Sequence, residues 1–187
     1  MEKLRIFVAA PVPADRLGAL GEALAPLRAR IEGARWLAPD AQHVTLNFLG
    51  SIPADSLGEI EAAVAECAAR AAPGALGFDG LGAFPGRHRA RVLWAGLADD
   101  TGLLARLAAE LSKRFAPLGF SSERRPFHPH LTVARFKTPA RLDPAALEID
   151  LAPIGRWRLD RIELWRTHLG SGGARYEVLS RWPLALT

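Results

Sequence analysis

The 187-residue chain is 49% hydrophobic and 24% charged, and none of its apolar runs approaches the roughly 20 residues that a membrane-spanning helix needs. Its single cysteine, Cys67, excludes an internal disulfide and the paired thiolates of common zinc motifs. The net charge of +4 comes from 24 Lys and Arg against 20 Asp and Glu, and only three of the 24 are Lys. Such an arginine bias suits planar, bidentate phosphate recognition, although a GC-rich genome would produce it equally well. The opening Met1-Glu2-Lys3-Leu4-Arg5 lacks the long apolar stretch of a secretory leader, so the protein is expected in the cytoplasm.

Leu4 to Ala10, an apolar run ended by Pro11 and Pro13, reads as a buried strand. Residues 14–30 follow as a helix with Leu17, Leu20, Leu24 and Leu27 at helical spacing, its last turn disturbed by Pro26. Arg35-Trp36-Leu37 is a candidate short strand. His43 to Leu49 alternates apolar and polar residues as a strand does, and Gly50 to Pro53 reads as the turn after it. Ala54 to Ala71 is a helix with Leu57, Ile60, Val64 and Cys67 on its apolar stripe, ended by Pro73-Gly74. Leu76 to Phe84 and Arg89 to Leu97 form a strand pair around Pro85-Gly86, with Arg87 and His88 at the tip.

A third helix over Asp100 to Ala116, opened by an aspartate cap, carries Leu103, Leu104, Leu107, Leu111 and Phe115. After the basic cluster Glu123-Arg124-Arg125-Pro126 a strand begins near His128, and Leu142 to Leu147 is a helical turn. Ile154 to Leu169 and Tyr176 to Leu184 close the chain as two strands across Gly170-Ser171-Gly172-Gly173. Helices separated by paired strands imply an α+β fold with antiparallel sheets, expected here as a single domain over residues 1–187.

One phrase occurs twice. His43-Val44-Thr45-Leu46-Asn47-Phe48-Leu49 and His130-Leu131-Thr132-Val133-Ala134-Arg135-Phe136 share the pattern His, apolar, Thr, apolar, one in each half of the chain. Residues two apart on a strand point to one face, so each copy presents an imidazole beside a hydroxyl. Two such strands facing one cleft supply two groups that titrate near neutrality and two neutral donors, which suits proton-coupled attack on a phosphodiester.

The sequence resembles the 2H phosphoesterases, named for two His-x-Thr-x motifs, and within them the bacterial RNA 2′,3′-cyclic phosphodiesterases, also called 2′-5′ RNA ligases. The resemblance is carried by His43 to Gly50, by Phe127-His128-Pro129-His130-Leu131-Thr132-Val133-Ala134-Arg135, by Leu4 to Ala9 and by Ser171 to Tyr176, and so runs the length of the chain. It implies two pseudo-symmetric lobes of antiparallel sheet with outer helices, the two motif strands lining a central cleft. It further implies that His43 donates a proton to the departing 3′-oxygen of a 2′,3′-cyclic phosphate and that His130 accepts one from water. Thr45 and Thr132 would then hold the non-bridging oxygens, with no metal and no ATP required.

Phe48 and Arg135, each five residues beyond its histidine, are candidates to sandwich a base, although simple alternation sends them to the opposite face. His128 shares the parity of His130, but its direction beside Pro129 is open. His88 reads as a loop residue, His168 as structural, and Arg175 and Tyr176 resemble a family position near the cleft. Three alternatives remain at this point. His128, His130 and His43 could hold zinc; the cleft could bind RNA without turnover; or an RNA hydroxyl could replace water and join ends through a 2′-5′ bond. The expected partner is an RNA end carrying a cyclic phosphate, and the expected state is a monomer.

Overall fold

The apolar run at the start of the chain forms β1 (Lys3–Ala10), continuously buried from Ile6 to Ala10 because it is covered on both sides of a central position in the sheet. The computed structural model describes residues 2–120, 126–170 and 173–185. The cluster at 123–125 and the pair Ser171-Gly172 lie outside the described residues. The other strands are β2 (Ala34–Trp36), β3 (Val44–Pro53), β4 (Gly74–Phe84), β5 (Ala90–Ala98), β6 (His130–Ala140), β7 (Trp157–Leu159), β8 (Arg161–Gly170) and β9 (Gly173–Pro183). They pair antiparallel in the order β7-β4-β5-β6-β3-β1-β8-β9, with β2 beside β6.

The sheet has a seam. β3 and β6 share the single bridge Val44↔Leu131, whereas their outer neighbours pair over long registers. Two four-stranded lobes result, β3-β1-β8-β9 and β6-β5-β4-β7, and each presents its His-x-Thr strand to the seam. This is the α+β architecture of two related antiparallel lobes. Helices α3 (Leu57–Ala69) and α4 (Leu103–Phe115) pack on each other and on β3, β8 and β9. Helices α1 (Ala14–Ala23) and α2 (Ala25–Arg30) pack together and on the short turn at 152–154 that adjoins β4, while α5 (Pro144–Leu147) lies against β4.

The lobes are not the halves of the sequence. Both ends of the chain meet in one lobe and the middle builds the other, because the run read as one strand from Ile154 to Leu169 breaks at Asp160. There the carbonyl accepts from the Leu184 N–H at 2.7 Å; residues before it extend the edge of β4 and residues after it return to β1. Three further boundaries differ from the sequence pattern for local reasons. The helix over 14–30 divides at Leu24, since Pro26 has no N–H for the preceding turn and is accommodated in the first turn of α2. Strand β3 continues through Gly50 because β1 offers partners as far as Lys3↔Pro53. Gly102 is the N-cap residue of α4, and the side chain that satisfies its first turn is that of Asp99, whose carboxylate oxygens accept from the Leu103 and Leu104 N–H groups at 3.0 and 2.8 Å, leaving Asp100 to pair with Arg156 at 2.6 Å.

Among the described residues no helix is long and apolar enough to cross a membrane.

Candidate active site

The two motifs run antiparallel about the pair Val44↔Leu131, whose side chains are fully buried. Continuing that register sets His43 opposite Thr132 and His130 opposite Thr45, so the four residues form a rectangle with a local two-fold axis through its centre. The two histidines are its diagonal, with Cα atoms about 7–8 Å apart in ideal geometry. All four line one cleft of about 640 Å³, together with Phe48, Arg135, His128 and Tyr176.

The position of Phe48 and Arg135 on that cleft reverses the expectation from simple alternation. Against β1 the register steps from Val8↔Asn47 to Ala9↔Thr45, leaving Leu46 as an extra residue. Against β5 it steps from Leu93↔Ala134 to Trp94↔Thr132, leaving Val133 as an extra residue. Each motif strand therefore carries a β-bulge three residues beyond its histidine, and a bulge shifts the parity of everything after it. Val133 and Ala134 are consecutively buried, and Arg135 turns out. In β3 the Asn47 amide donates to the Ser112 hydroxyl of α4 at 2.9 Å, and Phe48 faces out, 48% exposed, with the Arg5 guanidinium 4.7 Å above its ring.

The two imidazoles sit in different electrostatic settings. His130 Nδ1 lies 2.8 Å from the His128 carbonyl, which can only accept, so Nδ1 carries a hydrogen and the contact orients the ring. His43 is enclosed by rings, and its Nδ1 is buried without a hydrogen bond. Burial drives its pKa down from 6.5 to about 4, a backbone contact with Ala41 opposes this, and the charges of Arg135 and His130 push it further down. Among the described residues no three His, Cys, Asp or Glu side chains are grouped to hold a metal ion, so the trio His43, His128 and His130 is not gathered as one donor set.

A family profile described as the 2′-5′ RNA ligase superfamily matches residues 13–171. The chain belongs to that superfamily. It is 32% identical over 181 residues to an RNA 2′,3′-cyclic phosphodiesterase of Thermotoga maritima, covering 94% of this chain and 93% of that protein. It is 30% identical over 185 residues to an RNA 2′,3′-cyclic phosphodiesterase of Geobacillus stearothermophilus, covering 98% of this chain but 58% of that longer protein. The crystal structure of the Thermus thermophilus protein TT0787 superposes with a TM-score of 0.85 at 30% identity, over 97% of this chain and 98% of that one.

For this member of the 2′-5′ RNA ligase superfamily, the motif pattern did not show the aromatic walls that hold each imidazole. His43 stacks on Phe7 of β1 at 4.6 Å and is flanked at 5.0 Å by Trp165 of β8 and by Tyr176 of β9. His130 meets Phe84 of β4 edge-on at 5.0 Å and Trp94 of β5 at 6.2 Å. Phe7 and Trp165 on one side and Trp94 and Phe84 on the other are two-fold related, each pair drawn from the two strands next in order beyond its motif strand, and Tyr176 of β9 adds a third ring on the His43 side. Trp94 lies across Gly82, where a Cβ would come within 2.2 Å of the indole, so only glycine fits. Phe7 and Phe84 look like core residues in sequence; the signal available beforehand was the unusual aromatic at each cleft-facing register position, which requires the topology to recognise.

His128 lines the cleft and stacks at 6.3 Å from His130, with its backbone rather than its ring holding the partner imidazole. His88 is exposed on the turn Arg87–Arg89, and His168 donates through Nε2 to Glu177 at 2.7 Å. Arg175 is exposed and does not line the cleft.

Proposed function

We propose that the protein opens 2′,3′-cyclic phosphate ends of RNA to 2′-phosphates by paired imidazole acid–base catalysis. The observation that carries this reading is the antiparallel rectangle of His43, Thr45, His130 and Thr132 on one cleft. The names of relatives that share 30% or more of their residues with this chain point to the same substrate class.

His130 is the acceptor. With Nδ1 donating to the His128 carbonyl, the neutral ring takes the proton of the attacking water on Nε2. His43 is the donor to the 3′-oxygen. In the free protein its depressed pKa leaves it neutral at pH 7, so the phosphodiester anion must recharge it on binding. Substrate binding is thus coupled to uptake of about one proton, and the acid is created only when there is an ester to cleave. Thr45 and Thr132 donate to the two non-bridging oxygens, which gain charge in the transition state. Phe48 and Arg135 flank the position of the terminal base. The chain works as one two-lobed unit over residues 1–187, as a monomer in the cytoplasm, and its bound substrate needs no metal.

The deciding experiment incubates the protein with an oligoribonucleotide ending in 2′,3′-cyclic phosphate, in chelator, and identifies the product. The expected product is a 2′-phosphate, lost when His130 is replaced by Ala while binding persists. A 3′-phosphate would reverse the leaving-group assignment, and binding without any turnover would support a non-catalytic module instead. Ligation uses the same groups with an RNA hydroxyl in place of water, and a second oligonucleotide bearing a free 5′-hydroxyl in the same tube reveals it as a 2′-5′ linked product.

A further inference from the structure

Two arginines stand directly opposite each other beside the cleft. Strand β2 pairs with the far end of β6 in the register Ala34↔Phe136, Arg35↔Arg135, Trp36↔Ala134. Directly opposed residues of an antiparallel pair share a face, so both guanidinium groups lie on the side where Arg135 lines the cleft. Like charges so placed repel and destabilise the pair. Arginines elsewhere in the molecule are paired: Arg114 with Glu66 and Glu110, Arg156 with Asp100, Arg161 and Arg181 with Glu163, Arg166 with Glu2. Among the described residues neither Arg35 nor Arg135 forms an ion pair.

Arg35 also reaches toward β9. Its guanidinium crosses from β2 to the first residue of β9, where a Cβ on Gly173 would lie 2.6 Å from Nη1. Gly173 has φ +110°, a conformation that favours glycine, so both the backbone shape and the absence of a side chain admit the arginine. Tyr176, three residues further along β9, lines the cleft against the ring of His43. Arg35 therefore spans from one lobe to the other at the end of the cleft defined by Arg135.

That end is one step away from the reacting ester. Arg135 is five residues beyond His130, one of them spent in the bulge, so its Cα stands about 13 Å along β6 from the imidazole. The charge of Arg135 reaches His43, whereas the Arg35 guanidinium lies over Gly173. A chain that ends in a cyclic phosphate can continue only on its 5′ side. We propose that Arg35, beside Arg135, provides a second phosphate subsite that takes the internucleotide phosphate immediately 5′ of the terminal nucleotide, so that the protein favours RNA chains over single cyclic nucleotides. This rests on the cyclic phosphodiesterase reading above.

The test compares kcat/KM for a nucleoside 2′,3′-cyclic monophosphate with that for a dinucleotide ending in the same cyclic phosphate, for the wild type, Arg35→Gln and Arg35→Lys. The wild type should favour the dinucleotide about tenfold, the size of one charge-assisted contact. Arg35→Gln should abolish that preference while leaving the mononucleotide rate within about twofold, and Arg35→Lys should restore part of it. The slope of log kcat/KM against log salt should be steeper for the dinucleotide by about 0.7 in the wild type, and equal for both substrates in Arg35→Gln. Equal use of both substrates by the wild type, or an equal loss on both in Arg35→Gln, would overturn the subsite and leave Arg35 as a brace for the β8–β9 hairpin. Turnover of neither substrate by the wild type would instead remove the hydrolase reading, and this one with it.

Discussion

A histidine kept neutral by its surroundings leaves a thermodynamic mark. The folded protein holds His43 near pKa 4 and the unfolded chain near 6.5, so between those values the folded state binds fewer protons. Stability therefore rises with pH across that window, and protonating His43 as pH falls from 6.5 through 4 costs about 3 kcal/mol. Replacing His43 with Asn should flatten the pH dependence of urea unfolding in that window; an unchanged slope would mean that the ring is not desolvated. Nuclear magnetic resonance titration gives the complementary reading. His43 should titrate near 4 in the free protein and move upward when inorganic phosphate fills the cleft, because the anion replaces lost solvation of the cation. For the hydroxyls, Thr45→Val and Thr132→Val each remove one donor to a developing charge, an expected loss of about 1 to 3 kcal/mol in kcat/KM with little change in stability.

At the level of single elements, the bulges do the most. Without them Phe48 and Arg135 would point away from the histidines, and the cleft would lose one of its aromatic rings and an arginine. Deleting Val133 should remove the bulge and, with one residue fewer between them, leave Arg135 on the face of His130 with its β5 partner unchanged. The expected outcome is a protein that folds less stably, because the buried Val133 side chain is lost, while its KM for RNA changes little; a large rise in KM would show that the bulge does more than set the facing of Arg135. The end of α4 offers a simpler check. Asp99 satisfies two N–H groups at the start of that helix, so Asp99→Ala should lower the free energy of unfolding by about 1 to 2 kcal/mol without altering product identity. Helices, strands and most of their buried faces were legible in the residue pattern because periodicity reports burial directly. The bulges were not, since an extra residue in one strand is defined by its partner's register and leaves no compositional trace. The break at Asp160 was hidden for the same reason: residues 157–159 and 161–170 are equally apolar, and only the different partners β4 and β1 distinguish them.

For the molecule as a whole, the seam between β3 and β6 is where fold and chemistry meet. A sheet that pairs at one bridge and then diverges opens a groove without exposing long unpaired edges, because β1, β2 and β5 take up the remaining partners of the two motif strands. The main buried cluster runs through residues of both lobes, from Ile6 and Ile162 to Leu93 and Leu159. Heat or urea should accordingly unfold the protein in a single transition seen alike by fluorescence and circular dichroism; two separated transitions would show that the lobes are independent. The repeated His-x-Thr phrase was enough to pick out four residues that line one cleft. The aromatic walls and Arg35 come from strands remote in sequence, so nothing local marks them, and the two-fold arrangement that makes Phe7 and Trp165 the counterparts of Trp94 and Phe84 exists only in three dimensions.

The claim on which the rest depends is that positions 43 and 130 act on one phosphorus atom. A crystal structure with a 2′-phosphorylated nucleotide tests it most directly. One imidazole nitrogen from each residue should lie about 3 Å from oxygens of the same phosphate, with the Thr45 and Thr132 hydroxyls on its other two oxygens. A phosphate held by only one of the two histidines, or bound outside the seam, would contradict it.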